Sequence, residues 1–412
     1  MFSTQNRLCE RPGGLKSLFS DITPYGIAIT AYLLLLFFDF VQVVPGVSPA
    51  RLGGFALLVF FFFNWKEIRL KIDVMTGLLF GLILISFVCL LSMPDPVAGI
   101  NPCLSLCLNC GICILGRSLP YSSGDYRMCL FSLVVGGLIM VAMMFISPGA
   151  VGTEWVSERA VVNIGGSQQD PNEFCGYLIL ALTFFVVSAF LSSHFILIVP
   201  ACIILYAALL TGSRGGLISL VGGAICALVF GLSKSKHRLT ALIAGAFVLV
   251  VLIMNFDAIM NALPQSVAQR FYTASFSSGT ASFRINAWID VLQAFLQSSI
   301  LQQIIGHGFG MTMLVTFNGL VAHNAFVEMI YACGILGLCC YVGIWITSIM
   351  SCVKSSGYVE LASLVAFAAL LCTLSDFSMK VCWGLFLLTS IRAIAVEASH
   401  EYSPAEKTSS GE

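Results

Sequence analysis

The chain of 412 residues is 58% hydrophobic and only 10% charged, with 20 Lys+Arg balanced by 20 Asp+Glu and with 32 phenylalanines. A soluble protein carries about 25% charged residues, so this composition and its long apolar runs indicate a polytopic membrane protein. The zero formal charge comes without any basic patch, which excludes nucleic acid as an expected partner.

The expected fold is all-α, a bundle of about twelve transmembrane helices. In chain order the predicted spans lie near 24–44, 51–64, 73–93, 99–117, 128–147, 172–192, 194–211, 214–232, 239–257, 324–350, 359–376 and 378–397. Residues 1–23 precede them as a polar segment without the apolar core of a signal peptide, and residues 398–412 follow as a polar tail. Basic residues orient the bundle. With the first residues inside, 14 of the 20 Lys and Arg are cytoplasmic, concentrated in "WKEIRLKID" (65–73) and "SKSKHR" (233–238). The other six are Arg51, Arg159, Arg214, Arg270, Arg284 and Lys380. Both termini are therefore expected in the cytoplasm. The two long connections, 148–171 and 258–322, are expected on the outer face.

The fourth span contains "CLSLCLNCGIC", with Cys103, Cys107, Cys110 and Cys113 along one helical stripe. Small packing residues of a membrane helix are the favoured reading, with a metal site as the alternative. Within 258–322, "RINAWIDVLQAFLQSSI" carries Ile285, Trp288, Ile289, Leu292 and Phe295 at helical spacing, with Asp290 and Gln293 off that stripe. This predicts an amphipathic helix lying against the membrane face or the bundle.

Four polar clusters collect on the expected outer face. In "SQQDPNEFCGY", Asp170 is placed to cap a helix, Pro171 fits its first turn, and Asn172 and Glu173 follow. In "TGSRGG", Thr211 or Ser213 is placed to cap the next such helix, with Arg214 in its first turn. His323 and Asn324 open the tenth span, and Arg284 sits on the loop helix. Each has a plain alternative: lipid snorkelling for Arg214, an interfacial histidine at His323, a solvated charge at Arg284, a mere helix start at Asp170. A shared side of the membrane favours a common site. An arginine at a helix N-terminus is opposed by the dipole unless an anion sits nearby, and such ends bind anions readily. "GHGFG" (306–310) lacks the strand–turn–helix context of a nucleotide loop and reads as turn glycines. His307 is ranked below His323, because no membrane helix or Asn partner is expected to anchor it.

Together, "QQDPNEFCGYLIL", "TGSRGG", "RINAW", "GHGFG" and "HNAFVEMIYACGILGL" resemble the O-antigen ligase and polymerase family. The motifs cover roughly residues 155–350. The resemblance implies a metal-independent membrane glycosyltransferase without cofactors. Its donor is a glycan on polyprenyl diphosphate, and its acceptor is a glycan or lipid A core hydroxyl. By position, Arg214 and Arg284 match the diphosphate-binding arginines and His323 the catalytic histidine. Arg159, Asp170, Asn172 and Asn324 are expected to assist in substrate binding. A polysaccharide flippase or chain-length regulator is an implied partner. Ligase and polymerase both remain open, with "GGSQQDPNEFCGY" leaning toward exopolysaccharide polymerases. A multi-pass small-solute or ion transporter is the alternative, weakened by the lack of a convincing repeat between the halves and by how few charges, Asp39 and Glu328, are candidates for mid-span positions.

Overall fold

The computed structural model describes residues 21–153, 156–192, 194–234, 254–272, 280–317 and 319–401, together with positions 239, 243, 245 and 250. Fifteen α-helices are found among them: α1 (Pro24–Leu35), α2 (Pro49–Phe63), α3 (Val74–Ser92), α4 (Pro96–Gly116), α5 (Ser123–Ile146), α6 (Pro171–Ser192), α7 (Ile198–Leu210), α8 (Arg214–Lys234), α9 (Phe256–Ala262), α10 (Gln265–Tyr272), α11 (Thr280–Gln297), α12 (Ile300–Ile305), α13 (Ala325–Ser355), α14 (Tyr358–Leu371) and α15 (Lys380–Glu401). Six of them, α3 to α6, α13 and α15, are long and apolar enough to cross a membrane. Five shorter apolar helices match five further expected spans. The ninth span, 239–257, falls mainly outside the described residues, as do residues 1–20 and 402–412 of the terminal segments. The chain is a polytopic membrane protein.

Local chemistry sets the helix starts. Proline opens α1, α2, α4 and α6, where its missing N–H costs nothing. Thr23 caps α1 by accepting Gly26 N–H at 3.0 Å, and its own N–H reaches Asp125 Oδ1 at 2.8 Å, joining the starts of α1 and α5. Asp73 caps α3 through Thr76 N–H at 2.9 Å and takes a bidentate pair of bonds from Arg117 at 2.6 and 2.7 Å. That pair holds the Asp73 carboxyl down at about 2. Of the cysteine stripe, Cys103, Cys110 and Cys113 are buried and Cys107 is half-buried; all four are free thiols.

The bundle is all-α as expected, and one connection adds a small sheet to it. The connection 148–171 is folded as an antiparallel three-stranded sheet, β1 (Pro148–Thr153), β2 (Val156–Ile164) and β3 (Ser167–Gln168), in the order β1-β2-β3. Its register sets Pro148 against Val162 and Val151 against Arg159. A turn at Gly165 and Gly166, both with positive φ, reverses the chain into β3. The sheet and α9–α12 lie at one end of the bundle, here termed the loop end, with the starts of α6, α8, α13 and α15.

At the loop end, Lys380 at the start of α15 donates to Asp39, just past α1, and Ser48 donates to the same carboxylate. The Lys380 side chain is 5% exposed and that of Asp39 25%. Lys380→Met leaves a mostly buried carboxylate without its cation. We expect a loss of about 3 kcal/mol, the low end for a broken buried pair because Asp39 keeps some solvent. Thermal unfolding in detergent measures it, and D39N combined with K380M should recover part of the loss.

Candidate functional site

The "TGSRGG" segment forms the corner between α7 and α8. Ser213, not Thr211, caps α8: its Oγ accepts Gly216 N–H at 3.1 Å, while Thr211 Oγ1 accepts Ser213 N–H at 3.1 Å. Both are buried, and Arg214 is the first residue of α8. The chain reverses at Gly212, whose φ of 60° is a left-handed conformation suited to glycine. The reversal leaves two carbonyls turned toward the loop elements, and each receives an arginine from one of them. Thr211 O accepts Arg159 Nε at 2.9 Å from β2, and Gly212 O accepts Arg270 Nε at 3.3 Å from α10.

Asp170 caps α6 as its sequence context predicts, accepting N–H groups of Asn172 at 2.7 Å and Glu173 at 3.1 Å. Asn172 then faces the same corner. Its Oδ1 accepts from Ser213 Oγ at 2.8 Å and from Arg159 Nη2 at 3.1 Å. Asn172 thus positions Arg159 and the α8 cap, with its carbonyl oxygen already committed.

His323 lies at a second corner, before α13. Its φ of 51° is left-handed, a conformation that only a few per cent of residues other than glycine adopt, histidine more often than most, and one found at functional sites. Asn324 is buried and caps α13, its Oδ1 accepting Phe326 N–H at 3.0 Å and Val327 N–H at 3.2 Å. Trp288 of α11 donates its indole N–H to Ala322 O at 2.7 Å, which ties the helix bearing Arg284 to the residue before His323. The expected stripe of α11 splits: Trp288 and Phe295 turn inward beside Val291, while Ile285, Ile289 and Leu292 are exposed.

Electrostatics link the two corners. Burial pushes Arg159 down to about 10, with Arg270 adding to the shift. Arg284 is lowered by burial and by the charges of Arg214 and Arg270, with Asp170 acting the other way. Arg270 is lowered by burial and Arg214. His323 is lowered by burial, then by Arg284, against an opposing pull from Asp170. Four guanidinium groups therefore share one field with a half-buried histidine. None of Arg159, Arg270 and Arg284 forms an ion pair among the described residues. Like charges held together are unfavourable alone, and bidentate arginines bind phosphate oxygens well; the cluster can hold a multiply charged oxyanion.

Of the expected residues, Arg159, Asp170, Asn172 and Arg214 meet around the α7–α8 corner, and Arg284 and His323 join them through the field. Arg270 was not singled out from the sequence. It occurs in the polar segment "QSVAQRFY" without a motif, and its only signal was belonging to the six basic residues on the expected outer side.

The "GHGFG" glycines do more than turn the chain. Helix α13 is interrupted at Gly334, where φ is 64° and ψ −170°. The carbonyls of Tyr331 and Ala332 are taken instead by the N–H groups of His307 and Gly308, both at 2.9 Å. A Cβ at Gly306 would lie 2.1 Å from Ala332 O, and one at Gly334 would lie 2.2 Å from Ile304 O. His307 stacks on Tyr331 with ring centroids 4.4 Å apart and bonds Ser298 Oγ at 2.7 Å, so it is anchored to a membrane helix, contrary to expectation. This clasp fastens α11 and α12 to α13. Gly334→Ala is expected to cost well over 1 kcal/mol, since it combines positive φ with a backbone clash. Faster protease cleavage within 280–310 at unchanged membrane insertion is the measurement that checks it.

Residues 199–342 match a profile of the O-antigen ligase family. The chain carries an O-antigen ligase family domain. This O-antigen ligase family match spans Arg214, Arg270, Arg284, His323 and Asn324, whereas Arg159, Asp170 and Asn172 reach the site from outside it. No curated protein gives a match to the chain.

Proposed function

We propose that this protein is a membrane glycosyltransferase of surface polysaccharide assembly. It moves glycan from a polyprenyl diphosphate donor to an acceptor hydroxyl at the outer face of the bacterial cytoplasmic membrane. The observation that carries the reading is the meeting of Arg159, Arg214, Arg270 and Arg284 with His323 within an O-antigen ligase family frame. The charge distribution supports it: Lys66, Arg69, Lys71 and Lys354 lie at the end opposite the site, in keeping with a cytoplasmic position for that end and an outer one for the loop end.

In this mechanism His323 accepts the proton of the acceptor hydroxyl, whose oxygen attacks the anomeric carbon. The bond from that carbon to the diphosphate oxygen breaks, and the diphosphate leaves with both electrons. Charge grows on the leaving group as this happens, so fixed guanidinium groups favour the transition state over the ground state. Burial and Arg284 keep His323 below its ordinary value of 6.5 and hence neutral near pH 7, the form a base requires.

The test is reconstitution of the purified chain with a polyprenyl diphosphate-linked repeat unit, with and without lipid A core. Longer polyprenyl-linked glycan identifies a polymerase, and glycan on lipid A core identifies a ligase. Absence of both products, with counterflow of a labelled solute in proteoliposomes, replaces the enzyme with a transporter.

A further inference from the structure

A cavity of about 550 Å³ lies away from this site, at the opposite end of the bundle between α3, α13 and α15. Its basic groups are Lys71, Arg117 and Lys354, against the acids Asp73 and Glu397. Three cations and two anions leave a local charge of +1. Arg117 is committed to Asp73, and Lys71 reaches Glu397 only weakly, at 3.5 Å between exposed side chains. Lys354 forms no ion pair among the described residues. Surface pairs such as Lys71–Glu397 contribute little and exchange readily for a better anion.

The cavity wall holds three polar atoms that the fold leaves unanswered, one of them the hydroxyl of Ser355, 6% exposed. Ser348, 2% exposed, has a hydroxyl without a hydrogen-bond partner, and Arg117, 8% exposed, has an unpartnered Nε–H. Buried polar groups are normally satisfied, and leaving one unpaired opposes folding. All three residues line the cavity, so a ligand seated there is placed to answer them. The rest of the lining mixes hydroxyl residues with apolar ones, the latter including Ile394 and Val396, and Val74 and Met350 are exposed apolar residues at its edge. Apolar walls beside a helix end, crowned by lysines, suit a molecule with one anionic end and one hydrocarbon end. Basic pockets between membrane helices bind lipid headgroups by the same physics.

We propose that this cavity binds the phosphate headgroup of an anionic phospholipid from the leaflet opposite the candidate site. Lys71 and Lys354 meet the phosphate, Ser348 donates to it, and the acyl chains leave past Val74 and Met350. A free phosphate shares the headgroup chemistry but not the apolar contacts.

Native mass spectrometry of the full chain released from detergent tests this, using phosphatidylglycerol, phosphatidylcholine and inorganic phosphate as separate probes. The expected result is retention of phosphatidylglycerol over phosphatidylcholine, with retention falling about tenfold or more in K71A/K354A. S348V, which keeps both lysines, should weaken retention by a smaller factor. K66A, an exposed lysine outside the cavity, should leave it unchanged. Equal retention of phosphatidylglycerol by the wild type and K71A/K354A overturns the proposal, as does equal retention of the two lipids. Inorganic phosphate that raises thermal stability as much as the anionic lipid also overturns the lipid assignment and leaves a site for a small anion. Unfolding temperatures of each variant show whether a loss reflects the site or the fold.

Discussion

His323→Ala is expected to lower glycan transfer about a hundred- to ten-thousand-fold, the range for loss of a positioned general base. Two features make the test sharper than a simple deletion. First, His323 has φ of 51°, so alanine introduces backbone strain along with loss of the imidazole. His323→Asn separates the effects, because asparagine tolerates left-handed backbone but has no basic nitrogen near neutral pH. If the imidazole acts as the base, the asparagine variant is as inactive as the alanine variant and more stable. If the backbone corner is what matters, asparagine retains most of the activity. Second, the environment predicts the pH profile. Burial and Arg284 lower the pKa, so the neutral form persists to lower pH than in free histidine. The acidic limb of kcat/KM should therefore fall below 6.5, and Arg284→Gln should move it upward by removing a neighbouring cation. An acidic limb that stays in place in Arg284→Gln argues against the electrostatic link between the two residues.

Much of this frame can be read from the sequence because membrane spans are dictated by hydrocarbon thickness and helix starts by local caps. Asp170–Pro171 and Ser213–Arg214 announce helix N-termini through chemistry confined to a few residues. What escaped the sequence is set by contacts between distant segments. Arg270 becomes a site residue only because the carbonyl of Gly212, 58 positions earlier, turns toward it. The sheet at 148–168 is short and rich in glycine and polar residues, so its period-2 pattern is hidden; Gly165–Gly166 was the readable turn signal. The break at Gly334 was disguised by apolar neighbours that continue a helical pattern on both sides. It becomes intelligible only beside Gly306, which needs the same close backbone approach. His323's left-handed corner has only a weak signature in its own residue type, since histidine enters that region more often than most side chains but far less often than glycine. Its partner Asn324 was legible as a helix start, and the structure commits its side-chain oxygen to that cap.

Arg284→Ala is expected to lower turnover about a hundred- to a thousand-fold while leaving the unfolding temperature of the ligand-free protein unchanged or higher. The activity estimate is that for removing one fixed donor from a developing oxyanion. The stability estimate follows from the cluster itself. Arg284 is half-buried and repelled by Arg214 and Arg270, and both effects lower its pKa, so its charged form is destabilised in the folded state. Removing it relieves that cost, whereas removing Arg270 or Arg159 also deletes bonds to Gly212 O or Thr211 O. A residue kept for folding shows the reverse pattern, with stability and activity falling together. Lysine at 284 should recover only part of the rate, since an ammonium cannot grip two phosphate oxygens in a planar fork. Adding pyrophosphate completes the argument: it should raise the unfolding temperature of the wild type more than that of Arg284→Ala. Equal shifts in the two proteins remove Arg284 from the diphosphate site. An anion that stabilises only the intact cluster explains why a membrane protein keeps four arginines in one another's field.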